Sequence, residues 1–316
     1  MGSIREDKAL PIVRPTTENI NLAAEALLRG ELVCIPTETV YGIAADATNP
    51  EAIKRIYEIK DRPSENPLIV HISDFVQLDD VVAVWTKDAD VLANRFWPGP
   101  LTLVVKKSEL IPDEVTGGLD TVAVRMPDHP VALEVIEAAG VPLAAPSANR
   151  FMGLSPTSAD AVSPEIASKV YSILDGGTCR VGLESTVVDV SGDSPRILRP
   201  GGISRGDIQA ALGKPLVTAP TEPLRRSPGM YYRHYAPRAK VMIVDSVPEG
   251  APGLVFGSPG PNQIPMPKDP SLYAAMLYAA LNQLDQSAPE VIYVEKLPED
   301  AAWEAIVDRV SKASSS

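Results

Sequence analysis

The chain contains few of the residues that mark a metalloprotein, a disulfide-stabilised domain or a membrane protein. Its 316 residues include two cysteines and three histidines, and the histidines are too far apart to show a metal-ligand spacing. The apolar runs are much shorter than the roughly 20 residues that a membrane helix needs. The polar segment at residues 5–8 does not fit the charged-then-apolar order of a signal peptide. We therefore expect a cytoplasmic protein that does not associate with membranes.

Three common signatures of catalysis are also missing. No glycine-rich phosphate loop ends in Gly-Lys-Ser or Gly-Lys-Thr, and no Gly-x-Gly-x-x-Gly follows a strand. These absences argue against a P-loop enzyme and against a Rossmann dehydrogenase. There is no Gly-x-Ser-x-Gly turn of the kind that carries a nucleophilic serine in α/β-hydrolases.

Positive charge is scarce overall but concentrated in one segment. The formal net charge of −12 disfavours broad nucleic-acid binding, which needs many cations to neutralise phosphates. Residues 225–240 nevertheless hold five basic side chains and no acidic one. An anionic ligand would explain this local excess of positive charge, and a solvated linker explains it equally well.

The order of elements predicts an α/β protein with two domains, as the length of the chain also favours. Helices predicted at 16–30, 88–96, 131–139 and 204–212 alternate with strands at 32–35, 68–72, 101–105, 121–125 and 143–145. The strands at 185–190 and 196–199 form a predicted hairpin. Residues 217–238 have a linker composition, and strands and helices beyond them form a small βαβ-like unit. The predicted boundaries are 10–216, 217–238 and 239–316.

Four short polar motifs lie beside apolar strands, where α/β enzymes place chemistry. They are residues 36–42 (Pro-Thr-Glu-Thr-Val-Tyr-Gly), Lys60-x-Arg62, residues 66–71 (Asn-Pro-Leu-Ile-Val-His) and Ser147-x-Asn149. Each motif alone has a plain structural explanation. Lys60 and Arg62 complement a helix C-terminus, and Ser147 and Asn149 make a turn. Together the motifs supply cations, hydroxyls and amides suited to a polyanion beside a polar small molecule.

In this order the motifs resemble the YrdC-type family, the threonylcarbamoyl-AMP synthases that begin tRNA threonylcarbamoyladenosine synthesis. The resemblance continues through residues 123–127 (Ala-Val-Arg-Met-Pro), 183–188 (Leu-Glu-Ser-Thr-Val-Val) and 197–201 (Ile-Leu-Arg-Pro-Gly). Residues 227–237 resemble the interdomain linker of the long, two-domain form. The residue after Pro-Gly-Met is commonly basic there, whereas this chain has Tyr231.

The resemblance implies a YrdC-like twisted mixed sheet with flanking helices and a smaller Rossmann-like C-terminal domain. It implies that L-threonine, bicarbonate and ATP are joined into threonylcarbamoyl-adenylate, with Mg²⁺ on the ATP phosphates and no identifiable protein ligand for the metal. A downstream tRNA-modifying transferase complex would use the product. Two other classes stay open, namely a carbamoyl-adenylate-forming carbamoyltransferase and a non-catalytic RNA-binding module.

The resemblance also assigns site residues. The catalytic group is Lys60, Arg62, Ser147 and Asn149. ATP would be bound by Lys60, Arg62, Asn66, Thr121, Ser147, Asn149, Ser155, Arg199, His234 and Tyr235. L-threonine would be bound by Thr39, His71, Arg125, the backbone of Ala145, and Ser185. We expect Lys60 and Arg62 to be solvent-facing loop cations whose replacement leaves the fold intact. The linker would close over the ATP pocket through Tyr232, Arg233, His234 and Tyr235.

Overall fold

The computed structural model of the chain describes residues 11–217 and 234–315. In these residues the N-terminal part contains strands β1 (Ile12–Val13), β2 (Val33–Ile35), β3 (Gly42–Asp46), β4 (Ile69–His71), β5 (Val82–Val84), β6 (Leu101–Lys107), β7 (Thr121–Arg125), β8 (Leu143–Ala144), β9 (Ser172–Leu174), β10 (Thr186–Asp189) and β11 (Arg196–Arg199). Its helices are α1 (Thr17–Leu28), α2 (Pro50–Lys60), α3 (Leu78–Val81), α4 (Lys87–Phe96), α5 (Asp113–Thr116), α6 (Pro130–Ala139), α7 (Pro164–Ala167) and α8 (Arg205–Leu212).

These eleven strands form one mixed sheet. The order is β1-β9-β2-β3-β8-β4-β7-β6-β10-β11, and β5 pairs separately with β6. Parallel pairs such as β4 with β7 alternate with antiparallel pairs such as β6 with β7. The predicted hairpin is confirmed, because β10 and β11 are antiparallel neighbours. The mixed sheet confirms the expected fold class.

Local sequence explains where the principal helices begin. Thr16 caps α1 by accepting a hydrogen bond from the Asn19 amide, and Asn49 caps α2 ahead of Pro50. Helix α2 ends at Asp61, whose φ of 53° lies in the left-handed region. That left-handed residue ends the helix directly ahead of Arg62.

A second sheet forms the C-terminal domain. Its strands are β12 (Lys240–Val244), β13 (Gly253–Val255), β14 (Gln263–Pro265) and β15 (Val291–Glu295), and its helices are α9 (Pro270–Asp285) and α10 (Glu304–Ser314). The strand order is β12-β15-β13-β14, with all three pairings parallel. The expectation of a small Rossmann-like domain is therefore confirmed. None of the helices in the described ranges is long and apolar enough to cross a membrane.

The two domains share one apolar cluster. Val40 and Leu183 of the large domain pack with residues of α9 and α10. Hydrogen bonds also cross the boundary, since the Ala236 amide donates to the Met152 carbonyl at 2.9 Å. Asp285, near the end of α9, accepts from the Arg238 and Ala239 amides and fixes the start of the second domain. The domain contact lies directly beside the pocket described next.

Candidate active site

A small pocket of about 50 Å³ lies where the sheet strands, the loop after α2 and the start of the second domain meet. Ten of the residues that the sequence predicts for the site line it, and they are Thr39, Arg62, His71, Arg125, Ala145, Ser147, Ser185, Arg199, His234 and Tyr235. They come from segments separated by almost 200 positions in the chain. The fold therefore gathers most of the predicted ATP and threonine groups around one cavity.

Arg125 forms the floor of one side of this pocket. It is buried at the end of β7, where Nη1 donates to Thr39 Oγ1 at 2.9 Å and Nε donates to the Gly99 carbonyl at 3.2 Å. Its Nη2 approaches a Glu38 carboxylate oxygen to 2.6 Å. This is a buried ion pair, in which the Glu38 carboxylate compensates the charge of the Arg125 guanidinium. Arg125 itself lines the pocket, so a guanidinium is present there to meet an anionic ligand.

Ser185 and a second arginine, Arg199, form another part of the lining. Ser185 Oγ lies 2.7 Å from Thr102 Oγ1, and Arg199 Nη2 donates to Ser185 Oγ at 3.1 Å. Arg199 also donates through Nε and Nη2 to the Ser185 carbonyl, at 3.1 and 2.9 Å. Because these bonds fix both side chains, the hydroxyl and the cation are preorganised toward the pocket.

His71 and Ala145 close the back of the pocket. Burial and the charge of Arg125 lower the pKa of His71 to about 3, so its imidazole is neutral at physiological pH. One ring nitrogen lies 3.2 Å from the Ile69 carbonyl. The Ala145 amide donates to the same carbonyl, which leaves the Ala145 carbonyl as the backbone group that can meet a ligand. Both residues therefore offer neutral polar groups, not charges.

Lys60 lies elsewhere than expected. It is 1% exposed and its Nζ donates to the carbonyls of Ser147 and Asn149, each at 2.5 Å. Burial and the nearby Arg62 lower its pKa, whereas the two carbonyl acceptors favour the charged form. The expectation of a solvent-facing cation is wrong. The reason is long-range closure, because the Ser147–Asn149 segment folds over the end of α2.

Arg62 is also buried, at 8% exposure, so the same correction applies to it. Unlike Lys60 it lines the pocket. Its Nε donates to the Asn66 carbonyl at 3.2 Å and its Nη2 to the Pro67 carbonyl at 2.9 Å. The Phe151 ring lies 5.9 Å from the guanidinium carbon. These contacts hold the cation at the pocket edge, where a charge-assisted hydrogen bond to phosphate is available.

Two predicted amide side chains lie just outside the pocket lining and each keeps a polar atom unused. Asn149 Nδ2 donates to the carbonyls of Arg150 and Gly153, at 2.7 and 2.8 Å, whereas its Oδ1 has no hydrogen-bond partner among the described residues. Asn66 is 2% exposed, and its Nδ2 has no partner within the same part of the chain. Buried polar atoms are normally paired, so both atoms are candidates for ligand contacts.

Two other predicted residues are not brought into the pocket. Thr121 lies at the opposite end of β7 from Arg125, four residues or about 13 Å along the strand. Ser155 is buried, and its hydroxyl donates to Glu184 Oε1 at 2.6 Å. Ser155 thus supports a residue of the pocket wall, and Thr121 lies on the same sheet but beyond the cavity.

His234 and Tyr235 complete the pocket wall from the end of the predicted linker. Their rings lie 4.0 Å apart, and His234 meets Phe151 edge-on with ring centroids separated by 5.9 Å. Burial lowers the pKa of His234 to about 3. Its Nδ1 has no hydrogen-bond partner among the residues that the structure describes. Tyr232, Arg233 and Tyr231, also named in the linker prediction, lie outside the described residues. The wall position of His234 and Tyr235 agrees with a segment that covers the pocket.

Glu184 is a charged lining residue to which the sequence analysis gave no role. It lines the cavity and its carboxylate accepts from Ser155, Tyr278 and Arg309. Burial acts to raise the pKa of Glu184, but Arg309 and Arg199 outweigh it and lower the pKa to about 2. A signal was present in the sequence. Arg309 occupies the apolar stripe of α10 together with Ile306, Val310 and Ala313, a position where an unpaired arginine would be costly.

The described residues contain no group of three or more histidine, cysteine or acidic side chains that could hold a metal ion. The two carboxylates nearest the pocket are engaged, Glu38 with Arg125 and Glu184 with its three donors. The protein groups that remain available to a ligand are therefore cations, hydroxyls and amides. Such a set suits phosphate oxygens better than a bare divalent cation.

The neutral buried histidines predict how stability depends on pH. His71 has a folded pKa of about 3 against an ordinary value of 6.5, so as pH falls below 6.5 the unfolded chain takes up a proton that the folded chain refuses. The free energy of unfolding should fall by up to about 1.4 kcal/mol per pH unit for this histidine, or about 2 kcal/mol at pH 5. Urea denaturation at pH 7.5 and 5.0 measures it. His71→Gln should show a shallower pH dependence than wild type, and equal slopes would contradict the assignment.

Comparison with known proteins agrees with this geometry. A family model described as "Telomere recombination" (Sua5, YciO, YrdC) matches residues 25–201, and one described as "Threonylcarbamoyl-AMP synthase, C-terminal domain" matches residues 203–315. The threonylcarbamoyl-AMP synthase of Pyrococcus abyssi is 42% identical over 93% of this chain and 94% of its own length. That of Bacillus subtilis is 41% identical over 92% of each chain. The crystal structure of P. abyssi Sua5 complexed with L-threonine superposes with a TM-score of 0.88, at 40% identity, over 96% of both chains.

The mixed sheet, the cation- and hydroxyl-lined pocket and the parallel second domain define a two-domain α/β enzyme of the YrdC type. The chain belongs to the threonylcarbamoyl-AMP synthase family. It is accordingly a transferase that forms an adenylate. This membership confirms the family and the activity expected from the motifs, and the carbamoyltransferase and RNA-binding alternatives are set aside.

Proposed function

We propose that this pocket joins L-threonine, bicarbonate and ATP into threonylcarbamoyl-AMP, with release of pyrophosphate and water. The observation that supports the proposal most strongly is that one lining combines three arginines with several hydroxyls. Arg125 is hydrogen-bonded to Thr39, and Arg62 and Arg199 supply further fixed cations in the same lining. An amino acid with a carboxylate and a polyphosphate can therefore be bound in contact with each other.

The reaction needs no nucleophilic side chain. The threonine amine adds to the bicarbonate carbon and water leaves, giving a carbamate. A carbamate oxygen then attacks the α-phosphorus of ATP, and the bond to the bridging oxygen breaks as pyrophosphate departs. Catalysis consists of positioning and of stabilising phosphoryl charge. This agrees with a pocket that holds neutral His71, three arginines and several hydroxyls.

On the amino-acid side, we assign the threonine carboxylate to Arg125 and the threonine hydroxyl to Thr39 and Ser185. Arg125 is suited to a carboxylate because guanidinium groups bind carboxylates in bidentate geometry. Its companion Glu38 compensates the positive charge before the ligand arrives. Thr39 and Ser185 both carry hydroxyls fixed by neighbouring side chains. The carbonyl of Ala145 adds an acceptor.

On the nucleotide side, we assign phosphate contacts to Arg62, Arg199, Ser147 and the unused amide atoms of Asn66 and Asn149. Lys60 would act mainly through the Ser147–Asn149 segment that its ammonium holds. Mg²⁺ would enter as part of the MgATP substrate, with phosphate oxygens and water as its main ligands, because the neighbouring carboxylates are already engaged.

The pocket must enlarge to admit ATP. A cavity of about 50 Å³ is far below the roughly 300 Å³ of a small-molecule site. His234 and Tyr235 are the wall residues that adjoin the predicted linker, and Arg309 and Tyr278 contact Tyr235 from the second domain. We assign the opening to the predicted linker ahead of these two residues, whose closure over bound ATP would exclude water from an adenylate that hydrolyses easily.

The product would be used by a tRNA-modifying transferase complex that transfers the threonylcarbamoyl group to adenosine 37. We propose a cytoplasmic location for the enzyme. Support comes from its two cysteines, Cys34 and Cys179, which are both free and buried. The overall negative charge also agrees with a protein that hands on a small molecule and does not itself bind tRNA strongly.

Pyrophosphate release with each substrate omitted in turn tests the proposal. Release should require ATP, L-threonine and bicarbonate together. Release that continues at the full rate without bicarbonate would instead indicate a simple aminoacyl-adenylate, and release without threonine would indicate plain ATP hydrolysis.

The hydroxyl contacts predict selectivity for threonine over valine. Valine has nearly the same shape but no hydroxyl, so it would leave the Thr39 and Ser185 groups without their partner. We expect kcat/KM for threonine to exceed that for valine by at least about a hundredfold, by analogy with sites built to bind a substrate hydroxyl. Pyrophosphate release at equal rates with the two amino acids would contradict this assignment. Serine provides the matched control, because it keeps the hydroxyl and lacks the methyl group.

A further inference from the structure

Glu184 connects the pocket to the second domain. The residue Glu184 is 7% exposed, and the three side chains described here as donating hydrogen bonds to its carboxylate are buried as well. Ser155 Oγ donates to Oε1 at 2.6 Å, while Tyr278 Oη and Arg309 Nε donate to Oε2 at 2.9 and 2.8 Å. Tyr278 lies on α9 and Arg309 on α10. Two of the three groups that fix this wall residue therefore belong to the C-terminal domain.

Arg309 makes further contacts that reach the pocket wall. Its side chain is fully buried, and Nη2 donates to the carbonyl of Pro200, the residue after Arg199, at 3.0 Å. Its guanidinium carbon lies 4.6 Å from the centre of the Tyr235 ring, a cation–π distance. The Arg309 side chain of the second domain thus contacts Glu184, Pro200 at the end of β11, and Tyr235.

Tyr235 is held from its other side by the same domain. Its ring stacks on that of Tyr278, with centroids 6.0 Å apart and an interplanar angle of 22°. The backbone of Tyr235 has a φ of 58°, which is unfavourable for a residue with a Cβ and persists only where the surroundings enforce it. The Ala236 amide, which donates to the Met152 carbonyl, restrains the backbone next to Tyr235, and Arg309 and Tyr278 contact its ring.

Adhesion between the domains alone does not explain a fully buried arginine–glutamate pair. Taking both charges out of water costs several kcal/mol, and apolar residues of similar volume often serve stability as well or better. The two domains are joined by a second ion pair, Arg205 with Glu304 at 2.8 Å, which is partly exposed and whose residues do not line the pocket. The buried pair differs in that its carboxylate and its aromatic partner both line the cavity.

We infer that Arg309 and Tyr278 are positioning residues for the reaction, so that the second domain holds Glu184 and Tyr235 in the geometry the pocket requires. The inference rests on the proposed function of the pocket. It gives the C-terminal domain a specific task, namely to supply the side chains that fix one wall of the nucleotide site. Neither residue lines the cavity itself, so both act through the residues they contact.

Three variants test the inference in the full-length chain. Tyr278→Phe removes one hydroxyl and keeps the ring, Arg309→Lys keeps the charge but loses the planar fork, and Arg309→Met removes the charge. We expect kcat/KM for ATP to fall by about tenfold or more in both Arg309 variants and by less in Tyr278→Phe, since small displacements of binding groups are costly. The double variant Arg205→Ala with Glu304→Ala, which breaks the exposed pair at the same interface, should keep wild-type kinetics.

A pH profile separates positioning from mere stabilisation. In the wild type Glu184 is ionised throughout the assay range. The charged or titratable groups around it are Arg309, Arg199, His234, Tyr278 and Tyr235. In Arg309→Met the burial of Glu184 is no longer offset by its principal cation, so its pKa should rise. We expect kcat/KM for ATP in Arg309→Met to fall as pH decreases from 8 to 5 more steeply than in wild type.

The outcomes are distinct. Wild-type kinetics and an unchanged pH profile in folded Arg309→Lys and Tyr278→Phe would overturn the inference. So would losses of activity that match the fraction of unfolded protein, measured by circular dichroism at the assay temperature. If Arg309→Met does not fold, the decision rests on the two milder variants. Failure of the proposed function itself would appear differently, as wild-type enzyme that releases pyrophosphate without threonine or bicarbonate.

Discussion

Replacing Arg62 by alanine is expected to lower kcat/KM for ATP by roughly 10- to 150-fold, which corresponds to about 1.5 to 3 kcal/mol for a lost charge-assisted hydrogen bond. The guanidinium lines the pocket and is oriented by the carbonyls of Asn66 and Pro67. Its rotamer is therefore fixed before ATP arrives, so binding loses little side-chain entropy. Steady-state pyrophosphate release at varied ATP concentration measures this change in kcat/KM. The loss should appear in kcat as well as KM if the cation also stabilises the leaving pyrophosphate.

A nearby arginine provides the control. Arg150 lies in the adjoining loop, where its side chain is 62% exposed and pairs with the exposed Asp61. Arg150→Ala should leave kinetics within about twofold of wild type, because exposed ion pairs contribute little. If Arg62→Ala behaves like Arg150→Ala, Arg62 is a structural cation that complements its own loop and the phosphate assignment is wrong.

Replacing Lys60 by methionine is expected to destabilise the fold by about 2 to 4 kcal/mol and to reduce activity together with stability. Methionine fills most of the volume, so the principal change is the loss of two hydrogen bonds. The carbonyls of Ser147 and Asn149 would remain buried without a donor. The segment between them would then lose the anchor that places Ser147 at the pocket. Urea unfolding measures the first effect and pyrophosphate release at saturating ATP the second.

Lys54 is the matched control on the same helix. Its side chain is 49% exposed and contacts Glu51 and Glu114 at the surface. Lys54→Met should change the free energy of unfolding by less than about 0.5 kcal/mol, as for most surface substitutions. A Lys60→Met variant as stable as Lys54→Met would show that the ammonium is not needed to hold the Ser147–Asn149 segment.

The contrast between Lys60 and Arg62 shows what sequence could and could not predict. Spacing and family resemblance placed both near the site, and both are there. Their burial was missed, because it depends on a segment almost 90 residues later that folds over the end of α2. Exposure of a side chain is a property of long-range packing, and a helix-end motif contains no information about what covers it.

Strand β3 was not predicted from the sequence, for a similar physical reason. Residues 42–46 (Gly-Ile-Ala-Ala-Asp) form β3, although small residues with few branched side chains give a weak strand signal. Pairing with β2 and β8 on its two edges creates the strand. By contrast, the helices α1 and α6 were predicted nearly to their ends, since a one-sided apolar stripe and a capping residue are local features.

The role of Glu184 needed both domains to become visible. The sequence placed it inside a recognised motif, but its donors Tyr278 and Arg309 lie 94 and 125 residues further along the chain. An arginine on the apolar stripe of α10 was the one local sign that a buried carboxylate existed elsewhere. A charged residue on the apolar stripe of a helix is therefore worth examining when a functional site is sought.

The central claim is that one pocket builds a carbamoyl-linked adenylate from three substrates, and the mass of the nucleotide product tests it most directly. Enzyme incubated with ATP, L-threonine and ¹³C-bicarbonate should give threonylcarbamoyl-AMP that is heavier by the mass of the label than product made from ordinary bicarbonate. With Arg62 replaced by alanine, the same labelled product should form roughly 10- to 150-fold more slowly at subsaturating ATP. A threonyl-adenylate without the label, or AMP as the sole nucleotide product of freshly quenched reactions, would contradict the claim.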